Sequence, residues 1–206
     1  YYRENPQEGA TYKRPPMWNF KPSKKLNELT VVANFVETFL AKEGHKNPVG
    51  FNLLEKVQMP TMASLYGAML AGIDYVIMGA GIPTQIPGIL DRLVKHEKVS
   101  YRMNVVGATA DDNFLMDFYP KEVFSNALDK VQSLLRPNFL PIISSVVLAK
   151  TLLRRSTGKV NGFVVEGHTA GGHNAPPRGK MQLDENGEPI FGEKDTPKLE
   201  KIKELG

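Results

Sequence analysis

The run EGHTAGGH at 166–173 gathers the residue types that do chemistry. It holds Glu166, His168 and His173, with Gly167, Gly171 and Gly172 between and beside them. Two of the chain's four histidines lie here, directly after the apolar run FVV at 163–165. Imidazole titrates near neutrality, which suits it to proton transfer. Glycines let a backbone turn sharply and approach a ligand closely. Successive N–H groups in such a turn form a nest for an anion or a polar ring edge. The spacing is neither G-x-x-x-x-G-K-[ST] nor G-x-G-x-x-G, so a nucleotide phosphate loop is not expected. His173, after paired glycines, is the residue placed for acid–base work, whereas His168 reads as a half-buried loop histidine. Glu166, His168 and His173 lack the further ligands of a metal centre, and none is expected. Asn52, inside the apolar run 49–54, needs a partner for its amide, either backbone or ligand. His45 and His96 fall at helix ends, where imidazole meets the dipole favourably, and read as structural. Arg178 and Lys180 read as solvated cations that could attract an anionic substrate.

Alternating elements must position these groups. Apolar strands are expected at 49–54, 74–79, 99–108, 138–146 and 161–167. Amphipathic helices are expected at 26–42, 59–73, 86–98, 120–137 and 147–158, several ended by Gly or Pro, with a last one at 197–206. Strand, Gly or polar residue, helix, Gly stop, next strand is the rhythm of an α/β protein with parallel strands. Functional groups then sit at the strand carboxyl ends. Those ends offer Asn52, Gly79 with Gly81, Ser144 with Ser145, and Glu166-Gly167-His168, but no lysine for a Schiff base. An open doubly wound sheet and a (β/α)8 TIM barrel both fit. A barrel takes eight strands and about 250 residues, so about five strands would make this chain an internal piece. The expected organisation is one partial barrel domain over 1–206, with an irregular arm at 1–22 and a flap inserted at 175–195. Asn186-Gly187 predicts a hairpin turn in the flap, which reads as surface decoration. The start at Tyr1 and the helix stop at Gly206 fit an internal piece as well.

The 206 residues are 41% hydrophobic and 23% charged, enough for one core. The net charge of +4 is dispersed, and no basic run argues for nucleic acid. Without cysteine there is no disulfide scaffold and no thiolate nucleophile, which fits a cytoplasmic protein. The longest apolar run, at 139–149, is broken by Pro141, Ser144 and Ser145 and is too short to span a bilayer. Association of identical chains is left open.

FVVEGHTAGGH resembles the strand and loop of the nitronate monooxygenases, also called 2-nitropropane dioxygenases. VGFNLL resembles that family's short strand with a central Asn, and GAMLAGIDYVIMGAG its helix, Ala-Gly-x-Asp, strand and Gly unit. LPIISSVVLAKTL resembles the strand and helix before the motif, so the likeness covers 48–174. The resemblance implies an FMN-binding (β/α)8 barrel that oxidises alkyl nitronates with molecular oxygen. It implies flavin contacts at Asn52, Glu166 and Gly171 and, with the adjoining Gly172, a backbone wall against the ring. It implies that His173 is the base or the substrate-orienting group. Flavin-dependent enoyl-ACP reductases resemble the same motif and take electrons from a nicotinamide cofactor. A flavin-free barrel of the lyase or isomerase type and a non-catalytic barrel are further alternatives. Thr169 stands where the family commonly has Glu, and Asn174-Ala175 replace a basic residue and Gly. The family holds the flavin phosphate after its seventh and eighth strands, which would lie past Gly206. The 206 residues alone are therefore expected to bind FMN weakly or not at all.

Overall fold

The computed structural model describes residues 7–9, 11–109, 111–124, 128, 132–172 and 175–205. The described residues of the arm, 7–9 and 11–22, reach the first helix without regular structure. Its Trp18 packs on the main core, and Phe20 meets Phe114 edge-on at 6.4 Å. Ser23 caps that helix, α1 (Lys24–Ala41), by accepting a hydrogen bond from the Leu26 N–H at 3.2 Å. Gly44 closes it in the left-handed conformation, at φ +77°.

Four strands form a parallel sheet in the order β1 (Gly50–Leu54), β2 (Tyr75–Gly79), β5 (Asn138–Ile143), β6 (Val164–Val165). Asn52 stands opposite Ile77, Ile77 opposite Leu140, and Ile142 opposite Val164. Helix α2 (Thr61–Leu70) joins β1 to β2, and α5 (Val146–Arg155) joins β5 to β6. Between β2 and β5 lie α3 (Ile86–Leu93), an antiparallel pair of β3 (Val99–Arg102) and β4 (Leu115–Phe118), and the short α4 (Pro120–Phe124). The chain ends in α6 (Leu199–Lys203).

The expected third parallel strand is thus corrected. Residues 99–102 are extended, but they pair with 115–118 and not with β2, which pairs directly with β5. Burial along β3 alternates, Val99 and Tyr101 inward, Ser100 and Arg102 outward. That is the pattern of an antiparallel ribbon with one wet face, not of a strand covered on both sides. The parallel sheet therefore has four strands among the described residues. The helix expected over 120–137 is observed at Pro120–Phe124. Residues 125–127 and 129–131 lie outside the described residues, and 132–137 are not helical.

Each parallel strand is laid beside its predecessor on the same side, with no reversal of order. Right-handed crossovers that all step one way put their helices on one face. Burial agrees: Val76, Met78, Phe139 and Ile143 are buried beneath the helices. On the opposite face Leu54, Ile77, Leu140, Ile142 and Val164 are only half-buried, and Asn52 is exposed. The main core centres on α2, which is apolar all round and buried at nine of its ten positions. Gly67 lets α2 lie against α1, since a Cβ there would collide with the Val31 carbonyl. A smaller core joins Ile143, Ala149, Leu152 and Ile202 under Phe163 and Val165.

Polar clamps secure the amino ends of the strands. Asp74 accepts from the Val49 N–H at 2.8 Å and pairs with Lys42, and both contacts hold its carboxyl below the usual range. Arg136 ties Asp91, Asn161 and the Lys159 carbonyl, while Asn161 also accepts from the Phe139 N–H at 3.0 Å. Both clamps close on the chain itself.

Candidate functional site

The strands release their chains at one end of the sheet. A cavity of about 290 Å³ lies there, lined by Lys56, Ala80, Gly81, Ile142, Ser144 and Glu166 among others, with Ala175 and Pro176 on its outer side. Residues after β1, β2, β5 and β6 all contribute, so the sheet twist and helix packing bring them together.

Glu166 follows β6 by one residue. Its N–H donates to the Ile143 carbonyl at 2.9 Å, which fixes the backbone while the half-buried side chain lines the cavity. Gly171 and Gly172 are exposed in the loop beyond. Gly172 has φ +77°, where an L-residue is strained. Gly171 has no such φ, and a Cβ added to it would meet open space. Nothing in the described chain requires glycine at 171. His173 and Asn174 lie outside the described residues. Asn52 is on the open face of β1 and does not line the cavity. No described residue hydrogen-bonds its amide.

His168 is half-buried and stacks on Phe191, with ring centroids 4.9 Å apart and planes 19° from parallel. Among the described residues no three His, Asp or Glu side chains are placed to hold a metal ion. His96 is buried in the core, Nδ1 at 2.7 Å from the Tyr66 hydroxyl and Nε2 at 3.1 Å from the Gln132 carbonyl. His45 Nε2 lies 2.8 Å from the Ala41 carbonyl at the end of α1. Both are held by the fold itself.

Segment 175–195 returns over the carboxyl ends of β5 and β6. Arg178 Nη2 donates to the Ser144 carbonyl at 2.8 Å, and Phe191 lies on His168. Buried Asp195 fastens the base of the segment by accepting from the Gly192 N–H at 2.8 Å and the Arg178 N–H at 2.7 Å. These backbone donors hold its carboxyl below the usual range. The tip carries the tight turn expected at Asn186-Gly187, with the Gly187 N–H on the Asp184 carbonyl at 3.1 Å. Its root is part of the site, because Ala175 and Pro176 wall the cavity.

Three features were not legible beforehand. Lys56, two residues past β1, lines the cavity, so the carboxyl ends do offer a lysine. Its place beyond an exposed strand-end turn gave no apolar signal to register. Glu55 turns inward and is buried beneath the wall formed by Ala80 and Gly81. A charged residue directly after an apolar strand was the available signal. Ala80 takes φ +54°, a left-handed conformation that costs a non-glycine residue about 1–2 kcal/mol. Such strain collects at functional sites.

No helix among the described residues is long and apolar enough to cross a membrane. Comparison with protein-family models, curated proteins and solved structures returns no match.

Proposed function

We propose that the chain is part of a (β/α)8 barrel that binds FMN at the carboxyl ends of its strands and oxidises alkyl nitronates with molecular oxygen. The observation that carries the reading is the cavity between the ends of β2, β5 and β6, with Glu166 in its wall and the loop through Gly171 and Gly172 leaving the same strand end. Two further observations support it. The strands step one way without a reversal, as in a barrel and unlike a doubly wound sheet, whose ligand sits at the reversal. The sheet face left without helices is apolar, as the inner face of a barrel is.

Of the residues named for flavin contact, Glu166 is the one at the cavity. Asn52 stands outside it with no partner for its amide among the described residues, and a Cβ at Gly171 would meet open space. The cavity of about 290 Å³ is just under the roughly 300–1,000 Å³ of pockets that enclose a drug-sized ligand. It therefore suits a portion of FMN and not all of it. Bound there, FMN supplies the redox chemistry, and the chain supplies position and electrostatics. His173, the histidine of the motif, takes the α-proton of a neutral nitroalkane or, protonated, holds an anionic nitronate in place. Lys56 adds positive charge to the cavity and favours the same anion.

The test is oxygen uptake with an alkyl nitronate against enoyl-dependent oxidation of a reduced nicotinamide. The proposed reading expects the first activity, with loss of at least about 100-fold in His173→Ala. Nicotinamide oxidation with an enoyl thioester, and no nitronate turnover, identifies the reductase alternative.

Lys56 favours a second reading, a flavin-free lyase or isomerase that forms a Schiff base. Lys56 is exposed and lines the cavity at the strand carboxyl ends, where such chemistry carries its lysine. Borohydride trapping of a carbonyl substrate on Lys56, abolished in Lys56→Arg, would establish it.

A further inference from the structure

We propose that Glu55 is a positioning residue of the site: its buried carboxyl braces the Ala80-Gly81 wall of the cavity from behind and ties it to the β3–β4 hairpin. Glu55 extends the β1–β2 ladder by one rung, its N–H donating to the Gly79 carbonyl at 2.8 Å. Its side chain then turns under the wall and is 7% exposed. One oxygen, Oε1, receives three long hydrogen bonds, from the Tyr101 hydroxyl at 3.4 Å, Asn104 Nδ2 at 3.3 Å and Gln58 Nε2 at 3.4 Å. Gln58 in turn accepts from the Asn104 N–H at 2.6 Å, so the cluster locks the loop after β3 to the turn before α2.

The other oxygen, Oε2, has no donor among the described residues and presses on Gly81. A Cβ at Gly81 would collide with Oε2, Cβ and Cδ of Glu55, so only glycine fits. Gly81 and its strained neighbour Ala80 form the cavity wall on the far side. A left-handed alanine persists only where its surroundings over-determine it. Glu55 holds the residue on either side of it, Gly79 through its N–H and Gly81 through its side chain.

Burial pushes the Glu55 carboxyl up, and the bonds from Tyr101 and Asn104 only partly offset this. Tyr101 is the titratable side chain in contact with it, and its phenol is pushed up to about 12, so it stays protonated. Lys56, next in the chain, faces the cavity, and the Arg102 guanidinium turns to Asn113 Oδ1 at 3.1 Å. Gln58, Asn104, Ala80 and Gly81 carry no charge. A carboxyl with a raised folded-state pKa stabilises below its unfolded value, and that contribution is lost as pH rises through the folded value. The brace is firm in acid and loosens as Glu55 ionises.

The inference takes the cavity as the site, as in the FMN reading, but one of its two tests needs no ligand. The backbone and Cβ chemical shifts of Ala80, which report φ, are followed from pH 4 to 8 in the wild type, Glu55→Gln and Glu55→Ala. FMN affinity is measured in parallel on the full-length protein. Left-handed shifts are expected in wild type at low pH and in Glu55→Gln at every pH. They should weaken in wild type as pH rises and be lost in Glu55→Ala. FMN affinity should fall with pH about tenfold in wild type, stay flat in Glu55→Gln, and be about tenfold lower in Glu55→Ala. If Ala80 stays left-handed in Glu55→Ala at every pH while only Tyr101 and Asn104 loosen, Glu55 merely docks the hairpin and the proposal is overturned. If Glu55→Ala does not fold, an Ala80 signal that relaxes with pH identically in wild type and Glu55→Gln overturns it. If wild type binds no FMN, the flavin reading fails, and the Ala80 shifts alone decide the role of Glu55.

Discussion

Glu55 and Glu166 each follow a strand by one residue, at the same end of the same sheet, and finish in different surroundings. Glu166 faces the cavity half-buried, whereas Glu55 is folded beneath the cavity wall. Residue type and spacing singled out Glu166, which lines the cavity, and also Gly171, where no described neighbour requires glycine. They did not reveal Glu55, because its burial depends on Tyr101 and Asn104, which are 46 and 49 residues away. Asp195 belongs to the same class of distant partnership. Its carboxyl is held below the usual range, so its contribution is present above about pH 4, the unfolded value, and is lost as pH falls through the folded one. In Asp195→Asn, amide exchange at Arg178 and Gly192 should accelerate at neutral pH while the β2 amides keep their protection. Unchanged exchange at both amides would mean that the base of the flap is held elsewhere.

Elements with strong periodicity were legible and those set by pairing were not. α1 was expected at 26–42 and is found at Lys24–Ala41, because its apolar spacing and Gly stop are local signals. β3 was placed in the parallel sheet because an apolar run does not state its partner. Its alternating burial became readable only beside β4, whose four residues are too short to stand out. Close approach of α1 and α2 was equally hidden, though Gly67 carried the hint. Gly67→Ala should cost about 1–3 kcal/mol through overpacking against the Val31 carbonyl, seen as a lower denaturant midpoint. A midpoint equal to wild type would show that the helices separate freely. Tyr66→Phe removes the buried bond to His96 Nδ1 and should cost about 1 kcal/mol in the same assay.

Two apolar surfaces stand uncovered among the described residues. One is the open face of the parallel sheet. The other is a stripe on α1, where Val32, Phe35, Val36, Phe39 and Leu40 are exposed at helical spacing and Phe35 stacks on Phe39 at 6.0 Å. Hydropathy pattern alone marked that helix as amphipathic, but it could not say that much of its apolar face would remain in water. The native chain should therefore enhance the fluorescence of an apolar dye such as anilinonaphthalene sulfonate. Val36→Asp with Phe39→Asp should lower that signal and change stability by no more than about 0.5 kcal/mol, as expected of exposed positions. A dye signal unaffected by the pair would place the apolar surface elsewhere. The barrel, the flavin and the nitronate were reached from motif likeness, and the sheet order and cavity are what the fold adds to them. The most direct test is the visible absorbance of the purified full-length protein, followed anaerobically as an alkyl nitronate is added. The account predicts a bound-flavin band that bleaches with nitronate, returns with oxygen, and bleaches far more slowly in His173→Ala. A protein without a flavin band, or a band that bleaches only with a reduced nicotinamide, would contradict it.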